Sequence, residues 1–155
     1  AAGAVSVLGI DSSTEAVSRA TANASRNGLQ QVQFVGRDVF EALPALADKG
    51  ERFGTIILDP PSFTRSKKNV QTARRGYREL HAGALKVLDR GGFLATASCS
   101  HHILPEVFLE EVVQTGKKVG KTLQLLEWRG AAPDHPTLPQ VPETRYLKFG
   151  VFRVH

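Results

Sequence analysis

Two short stretches carry residue types that do chemistry, and each closes an apolar run. Asp59-Pro60-Pro61-Ser62-Phe63 follows Thr55-Ile56-Ile57-Leu58, and Ser98-Cys99-Ser100-His101-His102 follows Phe93-Leu94-Ala95-Thr96-Ala97. A thiolate can add to an electron-poor carbon and later leave, and a carboxyl group can hold or share a proton beside the reacting ring. Both stretches fall where an α/β sheet gathers its ligands, in the crevice outside the carboxyl ends of the strands. The prolines fix φ and lack N–H donors, which stiffens the exit loop of the first stretch. Two readings stand for each stretch. Asp-Pro-Pro after a strand also makes a plain turn, and a free cysteine is also a small apolar filler. The serines on either side of Cys99 favour the nucleophile.

The elements that must position these residues read as alternating strands and helices. Val5 to Ile10 forms a strand ending at Asp11. Ser12 and Glu15 then make a capping-box pattern that opens a helix to about Asn27, with Ala16, Val17, Ala20 and Ala24 on one face and Gly28 ending it. Gln31 to Val35 is a second strand, ending in Gly36-Arg37-Asp38, and a brief helix is expected from Pro44 to Lys49. Thr55 to Leu58, bounded by Gly54 and the prolines, reads as a buried parallel strand. A long helix runs from about Val70 to Leu88 with Leu80, Ala84, Val87 and Leu88 inward, and Asp89-Arg90-Gly91-Gly92 makes a turn into the Phe93–Ala97 strand. Pro105 begins the next helix, whose apolar face holds Phe108, Leu109, Val112 and Val113. Leu123–Trp128 and Tyr146–Val154 are the last strands, joined by a proline-bearing connection from Ala131 to Thr144 that is a candidate functional loop. This pattern predicts one α/β domain with a mostly parallel, Rossmann-like sheet, helices on both faces and an antiparallel edge hairpin. Asp11, Asp38 and Asp59 are then expected along one rim.

The chain of 155 residues is long enough to bury a core, and it carries a net charge of +5, which permits a polyanionic partner. One cysteine excludes an internal disulfide and leaves no metal-ligand spacing, so a reducing compartment, the cytoplasm, is expected and no metal is. No apolar run has the length of a membrane span. The positive charge concentrates after the Asp-Pro-Pro stretch: from Pro60 to Arg78 there is no acid, while Arg65, Lys67, Lys68, Arg74, Arg75 and Arg78 supply cations. Such a cluster neutralises phosphates without reading sequence, or forms a solvated helix face. Phe63 and Tyr77 either stack on exposed bases or belong to the core.

Seven stretches in register resemble a known family. Gly9-Ile10-Asp11-Ser12-Ser13, Arg26-Asn27-Gly28-Leu29, Asp38-Val39-Phe40, Asp59-Pro60-Pro61-Ser62-Phe63, Ser98-Cys99-Ser100-His101, Asp134-His135-Pro136 and Glu143-Thr144-Arg145-Tyr146-Leu147-Lys148 have the order and spacing seen in bacterial 23S rRNA (cytosine-5) methyltransferases, class I enzymes that use S-adenosylmethionine. The resemblance spans essentially the whole chain. It implies that Asp11, with Ser12, binds the cofactor ribose and that Asp38 and Val39 border the adenine. Asp59 and Pro60 are implied between the methionine end of the cofactor and the target base, and Cys99 as the nucleophile. Phe63, Arg65, Lys67, Lys68, Arg74 and Arg75 would meet ribosomal RNA. Asp11 also reads as a helix cap and Asp38 as a turn residue. The family's glycine-rich first motif, its first strand and its amino-terminal RNA-binding domain are not in this sequence, so the chain is expected to be the truncated catalytic domain. A homodimer is compatible with the sequence.

In that chemistry the thiolate adds to carbon 6 of an extruded cytosine, carbon 5 takes the methyl group, a base removes the carbon 5 proton and the thiol is expelled. His101 is a candidate for that base and also reads as a solvated loop residue. Two other functions remain: methylation of a base nitrogen, which needs Asp59-Pro60 but no thiol, and a non-catalytic RNA-binding module.

Overall fold

A computed structural model of the chain describes residues 3–64, 67–141 and 144–155, and for Lys67 the backbone only. Among these residues the order is β1 (Val7–Asp11), α1 (Thr14–Arg26), β2 (Val32–Gly36), α2 (Val39–Asp48), β3 (Phe53–Leu58), a 3-10 turn (Lys67–Asn69), α3 (Val70–Val87), β4 (Leu88–Ser98), α4 (Pro105–Lys118), β5 (Leu123–Arg129) and β6 (Lys148–Val154). β1 and β2 pair in parallel as one ribbon, and β3-β4-β6-β5 form a second sheet in which β6 alone runs antiparallel to its neighbours. The antiparallel pair at the edge is the one the missing intervening helix predicts.

Local chemistry sets the helix ends. Ser13, rather than the expected Ser12, caps α1: its Oγ accepts from Ala16 N at 3.2 Å, while Asp11 Oδ1 accepts from Ser13 N at 2.7 Å. Glu15 pairs with Arg19 one turn on, not with the cap. Gly28 adopts φ +66°, the left-handed conformation that turns the chain out of α1. The second helix begins well before Pro44. Asp38 is its cap, with Oδ1 accepting from Phe40 N at 2.7 Å, so Pro44 lies inside the helix on its exposed side. The expected turn at Asp89–Gly92 is part of β4, whose start is offset from β3 by an irregularity in register between Phe53 and Thr55.

The core forms where α3 and α4 meet the larger sheet. Tyr77, Leu80, Ala84, Leu85 and Val87 from α3 pack with Phe108 and Val112 from α4 and with Leu94, Phe152 and Val154 from the strands. Fully burying one such Leu or Phe side chain contributes roughly 1.5–3 kcal/mol. α2 lies against α3 so closely that a Cβ added to Gly83 would stand 3.1 Å from Leu43 Cβ.

β3 departs from the buried strand expected. Thr55 and Ile57 are exposed, Ile57 to 72%. The sheet is divided: β3 pairs only with β4 and β1 only with β2, so one edge of each of these strands carries no ladder partner among the described residues. No helix among the described residues is long and apolar enough to cross a membrane.

Candidate active site

The site assembles at the carboxyl ends of the parallel strands. Leu58 pairs with Thr96, which puts Asp59 on the exit from β3 beside the Ala97-Ser98 end of β4, directly before Cys99. Asp11 pairs with Gly36, and Arg37 N donates to Asp11 O at 3.0 Å, so Asp11 and Asp38 leave adjacent strand ends. A line of rings joins the two halves: Phe40, at the start of α2, lies 6.2 Å from Phe63, and Phe63 lies 4.6 Å from Tyr77. The rings continue through Phe108 to Trp128.

Asp11, Asp38 and Asp59 are exposed, as is Ser12; Val39 and Pro60 are half-buried. Among the described residues only Oδ1 of Asp11 and of Asp38 is engaged, the first with the N–H of Ser13, the cap of α1, the second with the N–H of Phe40 in α2. The second oxygen of each is open to hydroxyl or amine donors, a donor set that fits a ribose and a purine edge.

Cys99 is half-buried and free, between two fully buried serines. Tyr77 OH lies 2.8 Å from Ser98 Oγ and 2.9 Å from Ser100 Oγ. Ser100 Oγ lies 3.2 Å from Ser62 Oγ, which donates to Thr64 O at 2.8 Å, and Ser100 N donates to Ser98 Oγ at 3.3 Å. Each hydroxyl has one proton, and this fixes the direction of the chain. Ser62 gives its proton to Thr64 O, so Ser100 donates to Ser62, Tyr77 to Ser100, and Ser98 to Tyr77. The loop of Cys99 and the loop of Asp59 are thereby tied to one phenol. Burial pushes the Tyr77 phenol above its ordinary pKa, against the two serine hydrogen bonds; negative charge at Cys99 and Asp59 adds to the rise. Tyr77 thus stays a neutral donor within electrostatic reach of both.

Beneath this relay, His81 is fully buried between Tyr77 O, 2.6 Å from Nδ1, and Thr96 Oγ1, 2.9 Å from Nε2. A carbonyl can only accept, so Nδ1 carries the proton and Nε2 accepts from Thr96. Burial lowers its pKa to about 4. Lys148 is buried too, with Nζ donating to Ser100 O at 2.7 Å and Tyr146 O at 2.8 Å, and its pKa falls to about 8, again through burial.

The cationic segment divides. Arg74 and Arg78 reach across to the buried carboxylate of Glu111 on α4, Arg74 at 2.5 Å and Arg78 at 2.9 Å. Arg74, expected to meet substrate, is therefore engaged in the α3–α4 contact. Arg75 and Lys68 are exposed; Arg65 lies outside the described residues, as does the side chain of Lys67. Tyr77 is a core residue, not a surface stacking platform, because its 0% exposure leaves no ring face for a base. Phe63 is half-buried. His101 is exposed and stacks on Tyr146 with centroids 4.5 Å apart. No group of His, Cys, Asp and Glu among the described residues could hold a metal ion. Sequence reading missed His81, Glu111 and Lys148 as polar groups of the interior.

The model of a methyltransferase domain family matches residues 2–139. The chain belongs to this family. As a methyltransferase domain it is 35% identical over 154 residues to ribosomal RNA large subunit methyltransferase I of Escherichia coli, covering 98% of this chain and 39% of that protein. The domain thus spans about two fifths of the length of this curated relative. Its fold superposes on the SMU.776 methyltransferase complexed with SAH at a TM-score of 0.84, with 22% identity, over 97% of this chain and 40% of that one. It superposes on NSun6 of Pyrococcus horikoshii with SFG at 0.68, with 23% identity, over 96% and 41%. The Rossmann-like class of the methyltransferase domain, mostly parallel with an antiparallel edge, is the one its strand pattern predicts.

Proposed function

We propose that the chain is the catalytic part of an S-adenosylmethionine-dependent methyltransferase acting on large-subunit ribosomal RNA, and that it methylates carbon 5 of a cytosine through Cys99. The observation that carries this reading is the placement of Cys99 and Asp59 at the carboxyl ends of paired strands, with their loops fastened through Tyr77. The ribosomal relative supports the substrate, and the SAH-bound structural neighbour supports the cofactor. Asp11 and Ser12 would meet the ribose, and Asp38 and Val39 the adenine. The cofactor supplies an electrophilic methyl group. Cys99 forms a bond to carbon 6, and Asp59 with Pro60 holds the N3 and amine edge as charge builds there. After carbon 5 is methylated its proton leaves to a base, and the carbon–sulfur bond breaks to free the thiol. Phe63, Lys68 and Arg75 would face the RNA, together with Arg65 and Lys67. The test is Cys99→Ala assayed on ribosomal RNA in a chain competent for cofactor. Loss of turnover, with a trapped adduct to a 5-fluorocytosine RNA in the parent, is expected. Methylation retained without the thiol would move the reaction to a base nitrogen, and failure of every form to bind S-adenosylmethionine would leave a binding module.

We also propose that a further parallel strand, with a glycine-bearing loop at its end, completes the catalytic domain between β1 and β3. The unpartnered edges of β1 and β3 and the exposure of Ile57 support this. Hydrogen exchange on an upstream-extended chain should protect the amides of β1 and β3 relative to this one; equal exchange refutes the seat.

A further inference from the structure

We infer that Lys148 is a positioning residue for the Cys99 thiolate, fastening the loop that bears it and supplying its counter-cation from the buried side. This rests on the reading of Cys99 as nucleophile. A lysine is almost never fully buried without a partner, because its ammonium loses strong hydration. Lys148 is 2% exposed, yet no carboxylate lies within ion-pair distance of it among the described residues. Two of its three N–H groups are spent on backbone carbonyls, those of Ser100 and Tyr146, which bracket the site from the Cys99 loop and from the approach to β6. Holding Ser100 O from one side complements the Tyr77 and Ser62 hydroxyls that hold Ser100 Oγ from the other.

The charge acting on the ammonium comes from Cys99. Burial drives the Lys148 pKa down to about 8, and the one opposing influence is the ionised thiol. Tyr77 feels the charges of both Cys99 and Asp59, and His101 stacks on Tyr146, whose carbonyl Lys148 holds. Of these groups Lys148 is the buried cation. A positive charge beside a thiol is also how proteins make cysteine nucleophilic at neutral pH.

Cys99 is the only cysteine, so alkylation of the folded chain by iodoacetamide reports that sulfur alone. Lys148→Met should slow alkylation at pH 7 by about tenfold, with Lys148→Arg recovering most of the rate. Native circular dichroism with an unchanged alkylation rate in Lys148→Met would overturn the inference. A measurement on the unsubstituted chain guards against misfolded variants. The Lys148 Nζ titration, followed by nitrogen NMR, should move to lower pH once Cys99 is capped as the neutral carboxamide, and an unmoved titration overturns the inference equally. Retained methylation in Cys99→Ala would instead sink the carbon-5 mechanism and leave this linkage standing.

Discussion

Replacing Tyr77 with Phe deletes one oxygen and leaves the ring contacts with Phe63 and Phe108 in place. The lost oxygen joins Ser98 and Ser100 at 2.8 and 2.9 Å. Ser100 Oγ keeps Ser62, but the buried Ser98 hydroxyl, which donates to Tyr77, keeps only the Ser100 N–H that it accepts and loses its acceptor. The loss is therefore two hydrogen bonds at about 1 kcal/mol each, plus about 1 kcal/mol for the Ser98 donor left buried without an acceptor. A decrease of about 3 kcal/mol in unfolding free energy follows, or roughly 6–12 °C in Tm for a chain of this size. Urea titration monitored by far-ultraviolet circular dichroism measures it, with the denaturant slope expected to stay constant. A Tyr77→Phe chain within about 0.5 kcal/mol of the parent would refute the relay as a structural element. A loss well above about 4 kcal/mol would show that Ser100 is left unpaired as well.

His81 makes stability depend on acid. Its pKa is lowered from 6.5 to about 4, so the folded state holds it neutral where the unfolded chain takes up a proton. Its stabilising contribution is complete above about pH 6.5 and drains away as pH falls towards 4, by about 3 kcal/mol at most. Urea midpoints of the parent and of His81→Gln should diverge in slope across that window, and parallel pH dependences would sink the assignment. The two neighbouring arginines should separate in assay: Arg74→Ala costs about 1 kcal/mol through Glu111, whereas Arg75→Ala leaves stability within about 0.5 kcal/mol but weakens RNA binding and lowers the salt slope by about one. Equal effects of the two on stability would refute the division.

The strand ends were readable because acids and prolines punctuate short apolar runs, and both parallel ribbons keep those acids at their carboxyl ends. The start of α2 was not, because Pro44 looks like a first-turn residue while the cap that decides the matter, Asp38, stands at the end of a strand where a turn acid is equally natural. Tyr77 was legible in retrospect: with Ala73, Leu80 and Ala84 it falls on the inward stripe of α3, and only its place in a run of cations suggested the surface. Lys148 shares the inward parity of Gly150, Phe152 and Val154 along β6, a signal that reads as an error in pattern until the carbonyls it serves are known. Glu111 occupies the corresponding position on α4, beside Val112 and Thr115, and its two arginines come from another helix, beyond the reach of local spacing.

The row of rings from Phe40 to Trp128 has a practical consequence. Trp128 is the sole indole of the chain, and its neighbour Phe108 meets Tyr77 edge-on at 5.2 Å. Its emission therefore samples, without any label, the packing that supports the tyrosine under the cysteine loop. Loosening of that aromatic spine by a ligand or a substitution registers as a change in intrinsic fluorescence.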